Sequence, residues 1–164
     1  MEVPGLDIRY TYVTDIGKLR EWVKAPSTLQ WLPVKTEEEI ENAVQCWIGF
    51  CRWSSSLTVT INHVPCAIGT LFLMPYRKVA HQALFKIVVD PKWQRRGIGT
   101  KLVRNLKHLA KNYFHLDLIA IEIFEGNHIK KLLEKQDFKE IFRQEKFMKD
   151  GQIYRDRIYM EAEL

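Results

Sequence analysis

The chain has 164 residues, 46% hydrophobic and 27% charged, with 8 Gly and 6 Pro. That is about one domain of sequence with enough apolar material for a core, and it excludes collagenous, low-complexity and disordered classes. The formal net charge of +5 asks for an anionic partner but does not separate nucleic acid, membrane surface and phosphorylated small molecule.

Leu6 to Val13 alternates apolar and polar residues, the period of a half-buried strand. After Thr14 and Asp15, two candidate caps, Ile16, Leu19, Trp22 and Val23 recur at helical spacing until Pro26 stops them. Thr36 and Glu39 form a T-x-x-E capping box opening a second helix, with Ile40, Ala43, Val44, Trp47, Ile48 and Cys51 as its buried stripe. From Ser56 the period shortens. Leu57, Val59 and Ile61, the turn Asn62-His63-Val64-Pro65 and the run Cys66 to Met74 predict a hairpin. Ala83 to Val89 reads as a strand buried on both faces, and Thr100 to Phe114 as a strongly amphipathic helix. A strand over Leu118 to Phe124 and a short helix around Ile129 to Leu133 come next. Two strands, about Lys139 to Met148 and Ile153 to Ala162, flank the turn at Gly151. The order predicts an α/β fold, a mixed central sheet with helices on both faces, as a single domain over residues 1–164.

Cys66 to Met74, the longest apolar run, is broken by Gly69 and Thr70 and is far short of the ~18 residues of a membrane span. Met1 to Gly5 carries no basic segment followed by an apolar one. Cys46, Cys51 and Cys66 have no C-x-x-C spacing and read as buried thiols. A cytoplasmic location is the expectation, and the histidines show no metal-ligand spacing, so no metal is expected.

The chemistry is concentrated between the buried strand and the amphipathic helix, in Val89-Asp90-Pro91-Lys92-Trp93-Gln94-Arg95-Arg96-Gly97-Ile98-Gly99-Thr100. A strand-to-helix turn with two glycines leaves backbone N–H groups unpaired at the positive end of a helix dipole, which makes an anion site. Gly97 and Gly99 let oxygens approach the backbone, Thr100 adds a hydroxyl, and a pyrophosphate is the anion expected. No Walker loop is present, and a dinucleotide fingerprint would need glycine at Leu102. Lys92 to Lys111 holds seven basic side chains and no acid. A nucleic-acid reading of that helix predicts salt-sensitive affinity, but the chain shows no aromatic-basic motif of such a module, so neither nucleic acid nor membrane is the expected partner.

Gln94-Arg95-Arg96-Gly97-Ile98-Gly99 resembles the Q/R-x-x-G-x-G/A motif of the GNAT family of N-acetyltransferases, and the element order from Leu57 to Leu164 is similar to that family's. The closing stretch from Gly151 through Tyr154 and Asp156 to Met160 resembles the branch acting on amino acids, polyamines and ribosomal-protein N-termini. The resemblance implies acetyl-coenzyme A as cosubstrate, the GNAT fold and direct transfer to a primary amine. By position it implies that Ile87, Val88 and Val89 meet the pantetheine and thioester, Gln94 to Thr100 the pyrophosphate, and Asn127 the cofactor arm. The family's usual tyrosine after the asparagine is replaced by Leu133, and its glutamate on the central strand by Ala83 or Leu84. His81 is therefore the expected base, since its ordinary pKa near 6.5 suits proton acceptance. Tyr154 is the candidate acid, while Trp31, Asp156 and Tyr159 are candidates for binding the amine, and Glu122 or Glu125 for selecting a cationic one. A free amino acid or similar metabolite is the first acceptor expected and a protein N-terminus the second. A noncatalytic coenzyme-A-binding module is the rival, and the closing strands offer an edge for a homodimer.

Overall fold

In the computed structural model, which describes residues 2–164, seven strands form one sheet: β1 (Leu6–Tyr10), β2 (Ser56–Ile61), β3 (Val64–Leu73), β4 (Gln82–Val89), β5 (Leu118–Phe124), β6 (Lys139–Asp150) and β7 (Ile153–Glu163). Their order is β1-β2-β3-β4-β5-β7-β6. Every neighbouring pair is antiparallel except β4 and β5. Five α-helices connect them: α1 (Ile16–Lys24), α2 (Pro26–Leu29), α3 (Glu37–Gly49), α4 (Ile98–Asn112) and α5 (Ile129–Lys135). The sheet is mixed and carries helices on both faces, as the element order predicts. Among the described residues no helix is long and apolar enough to cross a membrane.

Local chemistry explains most boundaries. Thr36 Oγ1 accepts the Glu39 N–H at 3.2 Å while Glu39 Oε2 accepts the Thr36 N–H at 3.0 Å, closing the capping box of α3. Asn62 and His63 take φ of +49° and +69°, the left-handed pair of a two-residue hairpin turn. Pro26, expected to stop the first helix, also starts α2 at a position where its missing N–H costs nothing. Asp15 does not cap α1. Its buried carboxylate accepts from Arg9 at 2.8 Å, from the Tyr12 N–H at 2.9 Å and from Thr58 Oγ1 at 3.0 Å. Burial raises its pKa and these bonds, Arg9 first, outweigh that and lower it. The hydroxyls of Thr58, Thr11, Ser56 and Thr70 continue from Asp15 at 2.9, 2.8 and 2.7 Å, ending at the Trp47 indole, which donates to Thr70 at 2.8 Å. Only Cys66 of the three cysteines is buried; Cys46 lies on the outer face of α3 and is exposed.

Two apolar layers cover the sheet. Phe85, Ile119, Ile121 and Ile123 pack with Leu102 and Leu106 of α4 on one face, and Ile68 and Val88 pack with Trp22, Val44 and Trp47 of α1 and α3 on the other. Strand alternation produces this division, since neighbouring residues face opposite layers. Helix α4 comes closest at Gly69, where an added Cβ would lie 2.7 Å from Leu106 Cδ1 and 2.9 Å from Leu102 Cγ. Gly69→Ala is expected to destabilise the fold by about 1–3 kcal/mol through overpacking, read as a lower urea midpoint with unchanged slope; an unchanged midpoint would show that α4 yields freely.

Candidate active site

Strands β4 and β5 pair only through Gln82↔Leu118, Ala83↔Ile119 and Leu84↔Ala120. Beyond Leu84 they part, because β5 turns to stay paired with β7 along its whole length while β4 stays paired with β3. The backbone groups of Phe85 to Val89 that face the gap therefore have no strand partner, and a cleft of about 1040 Å³ opens there. It passes through the sheet. Ile87, Val89, Ile121 and Ile123 line it on the α4 side, and Leu84, Lys86, Val88 and Glu122 on the α1–α3 side.

The loop at the C-terminal end of β4 lines one end of the cleft. Asp90 Oδ1 accepts the Lys92 N–H at 3.0 Å to hold a 3-10 turn, and the Gln94 side-chain amide donates to Val89 O at 3.2 Å, tying loop to strand. Arg95 and Gly97 then adopt φ of +61° and +78°, which turn the chain into α4. Gly97 is its N-cap, so the helix starts two residues before the predicted Thr100. Among the described residues the N–H groups of Gly97, Ile98, Gly99 and Thr100 have no hydrogen-bond partner. Four donors in sequence at a fifteen-residue helix's positive end, with open space around Gly97, match a pyrophosphate. Lys131 and Lys135 of α5 also line the cleft. The free strand edge alongside would take an extended, amide-containing arm as an added strand.

On the α1–α3 side, Glu122 is the one carboxylate that lines the cleft among the described residues. Arg157 Nε donates to Glu122 Oε2 at 2.7 Å, leaving Oε1 without a hydrogen-bond partner among the described residues. Trp31 closes this side, its ring lying 3.3 Å from where a Gly126 Cβ would stand and 4.5 Å from the Arg155 guanidinium. A side chain at Gly126, where φ is +92°, would be strained and would press on the edge of that ring.

The structure brings together Trp31, Ile87, Val88, Val89, Gln94, Arg95, Gly97, Gly99, Thr100 and Asn127, all of which line the cleft. Asn127 Oδ1 accepts the Ile129 N–H at 3.1 Å and so also shapes the start of α5. Ile98 contributes its N–H only, its side chain being anchored in the core under α4. Arg96 does not line the cleft; its guanidinium lies 4.8 Å from the ring of Trp93, which does.

Four expectations do not fit. His81 is exposed at the start of β4, six residues or about 20 Å of strand from Ile87; its carbonyl accepts the Asp117 N–H at 2.7 Å, at the end where β4 and β5 are still paired. Tyr154 is exposed near Lys146 and Lys149 on the closing hairpin and does not line the cleft. Asp156 accepts the Lys146 N–H at 3.0 Å and pairs with Arg143 at 3.4 Å. Tyr159 stacks on Phe142 at 4.8 Å, and burial, then Glu161, raises its pKa. Both Asp156 and Tyr159 lie outside the cleft lining. His128 is the histidine that does line it, and Cys66, pushed up to about 11 by burial and by Asp90, is no nucleophile. Glu122 was legible only as one of two acids near the end of β5, since nothing in the sequence tells which strand lies opposite.

Residues 17–138 match the family model described as the acetyltransferase (GNAT) family. A 48-residue stretch is 33% identical to the L-amino acid N-acetyltransferase AaaT of Escherichia coli (strain K12), covering 29% of this chain and only 30% of that enzyme. The fold is similar to that of a ribosomal-protein-alanine N-acetyltransferase from Brucella melitensis, with TM-score 0.80 and 17% identity over 96% of this chain and 99% of the other. It is also similar to yncA from Salmonella typhimurium, a putative acetyltransferase solved with its cofactor acetyl-CoA, with TM-score 0.81 and 15% identity over 98% and 94%.

Proposed function

The chain belongs to the acetyltransferase (GNAT) family, and from that premise we propose that it is an N-acetyltransferase that draws on acetyl-coenzyme A and acetylates the primary amine of a free amino acid or a similar small metabolite. The observation that carries this reading is the gap beyond Leu84↔Ala120, with unpaired N–H groups at one end and a carboxylate on its acceptor side. Acetyl-coenzyme A supplies a thioester-activated acetyl group. Gly97 to Thr100 hold its pyrophosphate, the free edge of β4 aligns its arm, and Glu122 Oε1 receives the incoming amine.

An α-amino group with pKa near 8 loses its proton at pH 7 at a cost of roughly 1 kcal/mol, against roughly 4 to 5 for a lysine-like amine. The small first cost explains how one carboxylate suffices. As the C–N bond forms the nitrogen becomes cationic and far more acidic, and Glu122 takes that proton. Leu133, fully buried, offers none for the departing sulfur; a thiolate with pKa of about 8.5 can take its proton from water. Acetylation of a protein N-terminus is the second reading, favoured by the fold's likeness to the Brucella enzyme.

The test is release of free thiol from acetyl-coenzyme A across a panel of amino acids, polyamines and N-terminal peptides. Release that depends on a small amine supports the proposal, and cofactor binding with no amine-dependent release supports a noncatalytic module. Two copies would pair along the exposed edge strand β6, which carries the exposed Ile141. Sedimentation is expected to give twice the 19.4 kDa chain mass, and a monomer at all concentrations would reject the pairing.

A further inference from the structure

Two charged side chains face the acceptor side of the cleft from opposite lips of the gap. Lys86 and Glu122 each stand two residues past the last parallel pair, Leu84↔Ala120, so strand alternation puts them at the same level and on the same face. Their electrostatic situations differ. Glu122 is neutralised by Arg157 at 2.7 Å. Lys86 has no carboxylate within ion-pair distance among the described residues; its ammonium lies 5.3 Å from the Phe72 ring and 5.9 Å from the Trp47 ring. Trp47 is in turn held by its hydrogen bond to Thr70, the β3 residue opposite Lys86. The aromatic faces stabilise the cation in place without neutralising it, and the acceptor side is left with one uncompensated positive charge.

We propose that Lys86 is a specificity-determining residue which binds the carboxylate of an α-amino acid acceptor while Glu122 receives its amino group. The inference rests on the acetylation reading above and narrows its substrate class. An α-amino acid carries its two charges on adjacent atoms of one small skeleton, and the two lips present the complementary pair. A polyamine brings a second cation to an already positive wall, and an N-terminal peptide brings a neutral amide where Lys86 needs an anion.

The test compares an amino acid, its carboxamide and a diamine as acceptors for the wild type, Lys86→Met and Lys86→Arg, with thiol release as the readout. Wild type is expected to prefer the amino acid. Lys86→Met is expected to raise KM for the amino acid about 10- to 100-fold through loss of a charge-assisted hydrogen bond, with KM for the carboxamide and for acetyl-coenzyme A unchanged. Lys86→Arg, which keeps the charge, is expected to recover most of that loss. Equal losses for amino acid and carboxamide, or an unchanged KM for the amino acid, would overturn the inference. A wild type that prefers carboxamides or diamines overturns it too but leaves amine acetylation standing, whereas no amine-dependent release with any acceptor overturns both.

Discussion

Replacement of Gly97 by glutamate is expected to weaken acetyl-coenzyme A binding by about two to four orders of magnitude, the equivalent of losing two charge-assisted hydrogen bonds. The new carboxylate would sit where Gly97 to Thr100 point four unpartnered N–H groups, satisfying donors meant for phosphate and repelling it. No atom lies within 4 Å of a Cβ at this position, so the effect does not come from a clash. Backbone strain is separable, since Gly97 holds φ of +78° and asparagine tolerates that region better than other side chains. Gly97→Asn should therefore fold as well as Gly97→Glu or better and retain much more affinity. Calorimetry showing unchanged affinity in Gly97→Glu would remove the pyrophosphate from this loop.

The second large effect is expected at Glu122. Glu122→Gln keeps an oxygen for Arg157 Nε, now bonded to Glu122 at 2.7 Å, but removes the group that takes the amine's proton. A fall in kcat of about 10²- to 10⁴-fold is expected, the usual range for one positioned base, with KM for acetyl-coenzyme A unaltered. The deficit should shrink as pH rises and solvent takes over as base. His81→Ala, at the other end of β4, should leave kcat within about twofold. A pH-independent loss in Glu122→Gln accompanied by a lower melting temperature would assign Glu122 to holding Arg157 instead, and a large pH-dependent loss in His81→Ala would return the base to that residue.

Much of this molecule follows from neighbours in the chain. The apolar run from Leu118 to Phe124, the Thr36–Glu39 box and the helical stripe from Leu102 to Ala110 are local patterns, and each formed where its residue types predict. The anion loop was equally legible, because two glycines between a strand and a helix expose N–H groups whatever surrounds them. His81 lies outside the cleft for a reason of the same kind: period-two alternation says which residues share a face, but not at which end two strands separate. That separation depends on β5 following β7, a partner some forty residues away in sequence, while β4 follows β3. Only this non-local pairing puts Lys86 and Glu122 on facing lips and leaves His81 and the Tyr154 hairpin outside. Sequence alone therefore determined the elements and the row of unpartnered N–H groups at the start of α4, whose donors come from one continuous segment. The tertiary structure decided the facing of Lys86 and Glu122 across the cleft, because these charges converge only when strands distant in the chain are held in register by burial of their apolar faces.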